Sequence, residues 1–521
     1  MNCRYKLLER SGKCYLQMGV EGKAKQAFEE AKTAVHKSSL DKNKINSLLD
    51  EFEKLIQKCE KEAEIGSGYK ELMLTSMLPS FSSKSRDGAL TLNNALAVGF
   101  NKEDGRGVYA NRDIDVGEVL IIEKPYTSTV LPGYKNTFCH HCCGRVIAPV
   151  PCLSCSGVLF CNDQCRGEAW ESYHKRECKI LSKVRQAEVS LGHLALKTIL
   201  KAGLEKIAKT CEADEQAELK AVDLESGYDT ETYDSVHLLV NHASGRAADD
   251  LLKYTLQAYF LLSCIKQGAS FEKETGKEEK EWLNIGAHLL RNLMMLPCNA
   301  HECSELLYQE GNLPASVTVE IGSAVYPFLS LINHSCDPNV VRHSYKNVCV
   351  VRVIRNISKG TELLDNYGAL CALTPTSERR KKLESQYHFT CHCQACTDDY
   401  PQYGNLPTDT PVFKCDKCTG PVFLPLKGGY DCVPCSFCHL EHNITPRIGM
   451  LGQSDESYRM AMMDVLTKSC EFLDENIATL EVHLQLMDKV LCRPWRDYND
   501  CQEALKQCYA IKASHVPVTL A

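Results

Sequence analysis

Asn333-His334-Ser335-Cys336-Asp337-Pro338-Asn339 places amide, imidazole and thiol groups within seven residues. Pro338 donates no backbone N–H, and Asn and Asp side chains compete for their own backbone, so the stretch can continue neither a helix nor a central strand. It reads as a turn delivered by the apolar run Ala324 to Ile332, which is a place where a ligand or metal can be held. Further on, Asp365-Asn366-Tyr367-Gly368 ends an apolar stretch and puts a phenol at the rim of a sheet. Taken singly, each has a bland reading: a polar loop with a satisfied histidine, and a tyrosine closing a strand.

Thiols supply the other chemistry. Cys139, Cys142, Cys152, Cys155, Cys161, Cys165, His174 and Cys178 form C-x2-C pairs and an H-x3-C ending, spacings at which two side chains meet at one metal. Eight ligands make two tetrahedral zinc ions with no position left for water, so these sites read as structural. Cys143 competes with Cys142. Cys391, Cys393 and Cys396 give three thiols that need a fourth ligand. Cys415, Cys418, Cys435 and Cys438 form two pairs suited to a ribbon-type zinc, with Cys432 as an alternative ligand.

The chain has 521 residues, 30 of them cysteine. Its N-terminus, Met1-Asn2-Cys3-Arg4-Tyr5-Lys6, lacks an apolar signal core, and no run of 18 apolar residues could span a membrane. The reading is a reducing compartment, where clustered cysteines hold metal rather than form disulfides. A net charge of -7 counts against sequence-independent nucleic-acid binding. Arg379-Arg380-Lys381-Lys382 reads as a solvated helix face.

These groups need elements to position them. Residues 1 to about 64 read as helices in which Gly12, Tyr15, Ala24, Phe28 and Ala31 allow close antiparallel packing. A helix from Asp41 to Glu64 is broken by Gly66-Ser67-Gly68, and Pro79 to Ser85 reads as a linker, with a domain boundary near 85. From Leu96 the pattern is strands: Gly105-Arg106-Gly107-Val108-Tyr109-Ala110, a turn at Asp115-Val116-Gly117, then Glu118 to Pro125. Residues 179 to 300 read as helical, Asp249-Asp250 favour a helix start, and Leu251, Leu252, Thr255, Leu256, Tyr259, Phe260 and Leu262 read as a core stripe. Lys266 to Lys280 reads as a charged loop, and Val348 to Ile354 as a strand. From about 455, Met463, Leu466, Cys470, Leu473, Ile477, Leu480, Leu484 and Met487 keep one helical period.

In this order, the Gly105-Arg106-Gly107 hairpin, the 333–339 heptad and the Asp-Asn-Tyr-Gly strand end resemble the motifs of SET-domain lysine methyltransferases. The cysteine array between them resembles a MYND zinc finger, and the flanking helices resemble tetratricopeptide repeats. The chain is similar to the SET-and-MYND methyltransferases, most of all to their repeat-bearing member. The resemblance implies an α+β multidomain fold: a β-rich SET domain split by MYND and a helical insert, with a post-SET zinc flap and helical, TPR-like ends. The corresponding spans are 1–85 TPR-like, 95–135 SET N-terminal part, 139–178 MYND, 179–300 insert and 301–370 SET core. They continue as 371–400 post-SET, 410–440 zinc ribbon and 455–521 C-terminal helices. The N-terminal helices then read as the tail end of a longer repeat array.

In MYND fingers the ligand pairs interleave, Cys139 and Cys142 with Cys161 and Cys165, Cys152 and Cys155 with His174 and Cys178. In the family Cys336 completes the zinc of Cys391, Cys393 and Cys396. The cofactor that the resemblance implies is S-adenosylmethionine, held by Gly105, Arg106, Asn299, Asn333, His334 and Tyr367 and walled by Tyr387 and Phe389, with Tyr367 also catalytic. Two zinc ions in MYND, one post-SET and one more in the ribbon complete the cofactors. Substrates are lysines of histone or non-histone proteins; MYND recruits proline-rich peptides or corepressor proteins. Transcriptional regulation and a place in cytoplasm and nucleus follow from the same resemblance. No direct sequence-specific nucleic-acid contact and no membrane is expected. A catalytically weak scaffold built on MYND and repeat helices is the competing reading. Cross-braced cysteines also occur in RING ubiquitin ligases, but the H-x3-C ending and the flanking SET motifs count against that.

Overall fold

The computed structural model describes residues 4–17, 21–38, 40–64, 78–79, 90–103, 105–187, 189, 191–209, 228–271, 278–309, 311–426, 429–467 and 472–517. The glycine break at Gly66-Ser67-Gly68, most of the 79–85 linker and the boundary near 85 lie outside them. The chain divides into two compact units, Met1–Thr75 with Arg145–Val150, and Ser76–Gly144 with Pro151–Ala521.

The first unit contains three helices, Arg4–Gln17, Glu21–His36 and Lys42–Glu64. Gly12 lets the first two approach: a Cβ there would lie 2.4 Å from the Phe28 ring. Phe28 stacks on Phe52 at 6.4 Å, and Ala24, Ala31 and Val35 complete a sealed core. Asp41 caps the third helix, its carboxylate accepting the Lys44 N–H at 2.9 Å.

In the second unit, Leu90–Leu92, Val119–Glu123, Val348–Val353 and Val340–Tyr345 form an antiparallel sheet in that order. A second sheet has the order His515–Pro517, Ala300–Tyr308, Val317–Val325, Thr127–Val130. Leu96–Asn101 and Gly105–Ala110 make a separate hairpin. Val108, Leu120, Ile121, Phe328, Val351 and Leu363 fill the space between these elements. A buried carboxylate braces the chain just before the 333–339 heptad. Glu123 accepts the N–H groups of Phe328 and Leu329 at 2.9 and 2.8 Å, and burial pushes its carboxyl up to about 8.

Periodicity marks a helix but not the face that finds a partner, and two expected core stripes are corrected for that reason. Along Ala248–Phe271, Leu252, Leu256 and Tyr259 are exposed, while Ala258, Leu261, Cys264 and Ile265 are buried. That helix also runs through the start of the expected 266–280 loop, and another begins at Glu279; residues 272–277 lie outside the described set. Along the C-terminal period Thr445–Thr467 and Leu473–Val490 are helical, followed by Arg496–Lys512, and Cys470 lies outside the described residues; Met463 is exposed, whereas Ile477, Leu480, Leu484 and Met487 are core. Among the described residues, no helix is long and apolar enough to cross a membrane.

Candidate active site

Asn333–His334 runs parallel to Leu364–Asp365, Asn333 opposite Leu364 and His334 opposite Asp365. Side chains lock the pairing. Asn339 donates to the Glu362 carbonyl at 2.8 Å and accepts the Leu364 N–H at 2.7 Å, while Asn366 donates to the Ser335 carbonyl at 3.0 Å. Two segments separated in sequence thereby become neighbours, and Tyr367 emerges beside His334.

The Tyr367 hydroxyl donates to the Ile332 carbonyl at 2.7 Å, and its backbone N–H donates to His334 Nδ1 at 3.0 Å. His334 therefore carries its proton on Nε2, which lies 3.3 Å from the Cys336 sulfur. Burial lowers this imidazole to about 4, so the ring is neutral, and burial pushes the Tyr367 phenol up, so it stays protonated near neutral pH. Three rings wall the niche: Tyr387 at 4.8 Å from Tyr367, His334 at 5.2 Å from Tyr367, and Phe389 at 6.0 Å from His334.

The glycine hairpin meets this niche through Asn333, whose amide donates to the Arg106 carbonyl at 3.0 Å and to the Glu362 carboxylate at 2.8 Å. Gly107 leaves room for Glu362, because a Cβ there would lie 2.2 Å from Glu362 Oε1 and displace the carboxylate that holds Asn333. Gly105 adopts φ +76, and a Cβ there would meet nothing within 4 Å, so open space borders the start of the strand. The Arg106 guanidinium bonds the Leu238 carbonyl, and the Asn299 amide bonds the carbonyls of Val240 and Met295 at 2.8 and 2.9 Å. Both side chains thus clamp the insert loop around Leu238–Val240. The roles of Glu123 and Glu362 are not legible in the sequence; Glu123 offers one signal, a carboxylate ending the apolar run Val119 to Ile122, and Glu362 offers none.

Four tetrads of ligand atoms each lie within 4.8 Å of one another: Cys139, Cys142, Cys161, Cys165; Cys152, Cys155, His174, Cys178; Cys336, Cys391, Cys393, Cys396; and Cys415, Cys418, Cys435, Cys438. The first two interleave along the chain. Cys143 turns away, its buried sulfur facing the Ser128 hydroxyl at 3.6 Å, and Cys432 is exposed outside the fourth set. Thiolates with one imidazole suit zinc. The expected solvated face at Arg379–Lys382 holds for Lys381 and Lys382, which are exposed, but not for its first half: Arg379 is fully buried, bonding the Cys396 sulfur at 3.3 Å, and Arg380 bonds the Cys391 carbonyl at 3.1 Å. A thiolate tetrad is anionic and draws guanidinium groups inward.

The SET domain family model matches residues 105–368, half of the chain. Protein-lysine N-methyltransferase SMYD4 of Danio rerio is 26% identical over 425 residues, covering 68% of this chain and 56% of its own length. The protein of the same name from Mus musculus is 26% identical over 397 residues, covering 64% and 49%. Histone-lysine N-methyltransferase ASHR1 of Arabidopsis thaliana is 26% identical over 350 residues, covering 66% and 64%. The chain spans about half the length of the SMYD4 relatives it matches. Since the matched span runs from Gly105 to Gly368, the two ends of the niche built above, the chain belongs to the SET-domain family, with the SMYD proteins among its relatives there.

Proposed function

We propose that this chain is an S-adenosylmethionine-dependent protein-lysine N-methyltransferase acting at the junction of 333–339 with Tyr367. The observation that carries the reading is the Tyr367 hydroxyl, its proton held by the Ile332 carbonyl inside a wall of His334, Tyr387 and Phe389. The SMYD4 relatives are named protein-lysine N-methyltransferases, which supports the same chemistry.

S-adenosylmethionine, when bound, supplies a methyl group on a sulfonium. The open space at Gly105 fits it, with Asn333 and His334 beside it; Asn299 would act through the insert loop that it bonds at Val240. A lysine amine with pKa about 10.4 is inert while protonated, so the niche must remove water and disfavour the ammonium. Tyr387, Phe389 and the Tyr367 ring provide the dry wall. With its proton engaged by Ile332, the Tyr367 oxygen presents lone pairs that can accept an amine N–H and aim the nitrogen. The raised phenol makes Tyr367 an orienting group rather than a base. Positioning of this kind lowers a displacement barrier by roughly 7 to 11 kcal/mol.

The four tetrads would hold one structural zinc each, two of them in a MYND-type module that presents a surface for proline-rich or corepressor partners. Zinc at Cys336, Cys391, Cys393 and Cys396 would hold Tyr387 and Phe389 against the cofactor turn.

Transfer of labelled methyl groups into lysine of histones and a broad cell lysate tests the reading. Label should disappear with His334→Ala and fall or change methylation state with Tyr367→Phe. Cofactor binding without transfer to any protein would replace the enzyme reading with the scaffold.

A further inference from the structure

Glu177 is fully buried, and three imidazoles converge on its carboxylate. His140 Nε2 lies 2.6 Å from Oε1, His174 Nδ1 lies 2.9 Å from Oε1, and His193 Nε2 lies 2.9 Å from Oε2. An ionised carboxylate only accepts hydrogen bonds, so each facing ring nitrogen carries a proton. For His174 the consequence is specific. A proton held on Nδ1 leaves Nε2 as the lone-pair nitrogen, and Nε2 is the atom on the tetrad side, 3.6 Å from the Cys155 sulfur.

The same carboxylate reaches two further parts of the molecule. His140 follows Cys139, a ligand atom of the first tetrad, and His193 sits on the helix Gly192–Ala202 of the insert. His140, Glu177 and His193 are also close enough together to hold an ion themselves. Their separations are ordinary hydrogen-bond lengths, and Oε1 is already shared with His174, which favours proton-mediated contacts.

We propose that Glu177 is the positioning residue of the second tetrad: it fixes the His174 tautomer that presents Nε2 to zinc and ties that centre to Cys139 and the insert. None of this involves methyl transfer. It rests on zinc occupancy of Cys152, Cys155, His174 and Cys178, and the test separates the two.

Zinc bound to the purified full chain is counted by native mass spectrometry, and its release to excess chelator is followed by absorbance. Four ions are expected in the unaltered protein, one per tetrad. In Glu177→Gln one of them should leave roughly 10- to 100-fold faster, the others at unchanged rates. In a His174→Cys background, where no imidazole tautomer remains to be set, the same substitution should alter release by no more than about 2-fold. Equal acceleration in both backgrounds makes Glu177 a general packing residue and overturns the proposal. So does unchanged release in Glu177→Gln alone, or a fifth ion lost with His193→Gln. Should Glu177→Gln not fold, ring ¹⁵N spectra of the unaltered protein decide: His174 protonated on Nδ1 supports the inference, and protonation on Nε2 sinks it. A chain with no zinc at this tetrad defeats the metal reading itself.

Discussion

Two thiol tetrads share one detail and differ in its consequence. A histidine nitrogen lies against a cysteine sulfur in each, His334 Nε2 at 3.3 Å from Cys336 and His442 Nε2 at 3.2 Å from Cys415. At the first, the other ring nitrogen accepts the Tyr367 backbone N–H. At the second, it faces the exposed Asp416 at 3.4 Å. Both rings lie against a ligand sulfur, but the bonds leaving each cluster lead to different places. A structural metal matters to catalysis only when its surrounding contacts reach the reacting groups. Asp337 strengthens the first connection: bonded by Arg355 at 2.9 Å and by Arg493, it ties the heptad to the C-terminal helical region.

Breaking one tetrad at a time gives the largest expected contrast. Cys393→Ser should remove one zinc and reduce methyl transfer about 100-fold or more, because Tyr387, Phe389 and His334 lose their anchor. Cys435→Ser should also remove one zinc yet leave transfer within about threefold. Zinc content and initial rates on the same preparations check this, and equal rate losses would erase the distinction.

Tyr367→Phe sharpens it further. With the tetrad intact, kcat should fall about 100-fold while cofactor affinity holds, and the Ile332 carbonyl left without its donor should cost roughly 1–3 kcal/mol of stability. Single-turnover rates, calorimetric binding and urea melts separate the three quantities.

A paired glycine test has a smaller reach. Gly107→Ala drives a Cβ into Glu362, which also holds Asn333, and should cost about 1–3 kcal/mol and weaken cofactor binding. Gly420→Ala places a Cβ 2.7 Å from the ring of Phe437, which is 71% exposed and can swing away; roughly 0.5 kcal/mol or less is expected. Comparable losses in thermal melts would mean that the two regions are equally rigid.

Acid acts on buried histidines outside all four tetrads. Burial lowers His343 to about 3 and His237 to about 4, so the folded chain keeps them neutral while the unfolded chain protonates near 6.5. Their contribution is intact above pH 6.5 and is lost as pH falls from there toward about 4 for His237 and about 3 for His343, by at most about 1.4 kcal/mol per unit for each. Urea melts of the zinc-loaded chain at stepped pH, against His343→Phe and His237→Phe, isolate these two groups.

Legibility in the sequence follows the range of the interaction. The C-x2-C pairs and the H-x3-C ending could be recognised because ligands two to four residues apart meet with little help from the rest of the chain. The Asn-His turn could be recognised because Pro338 and its neighbours forbid regular structure. The face of Ala248–Phe271 could not, since Leu252 and Tyr259 keep helical period with Ala258 and Leu261 nearby, and burial depends on which neighbours arrive. Arg379 was misread because a run of four cations reads as solvated unless a thiolate cluster is known to lie beneath it.

Sequence alone therefore determined which side chains could share a metal and where the chain must turn, because those constraints act over a few bonds. Only the tertiary structure decided what these groups do for one another. Asn333 reaches Arg106 across 227 residues, Glu123 caps Phe328 across 205, and Arg493 holds Asp337 across 156. Such partners are chosen by packing and desolvation in the closed fold, and residue spacing records neither.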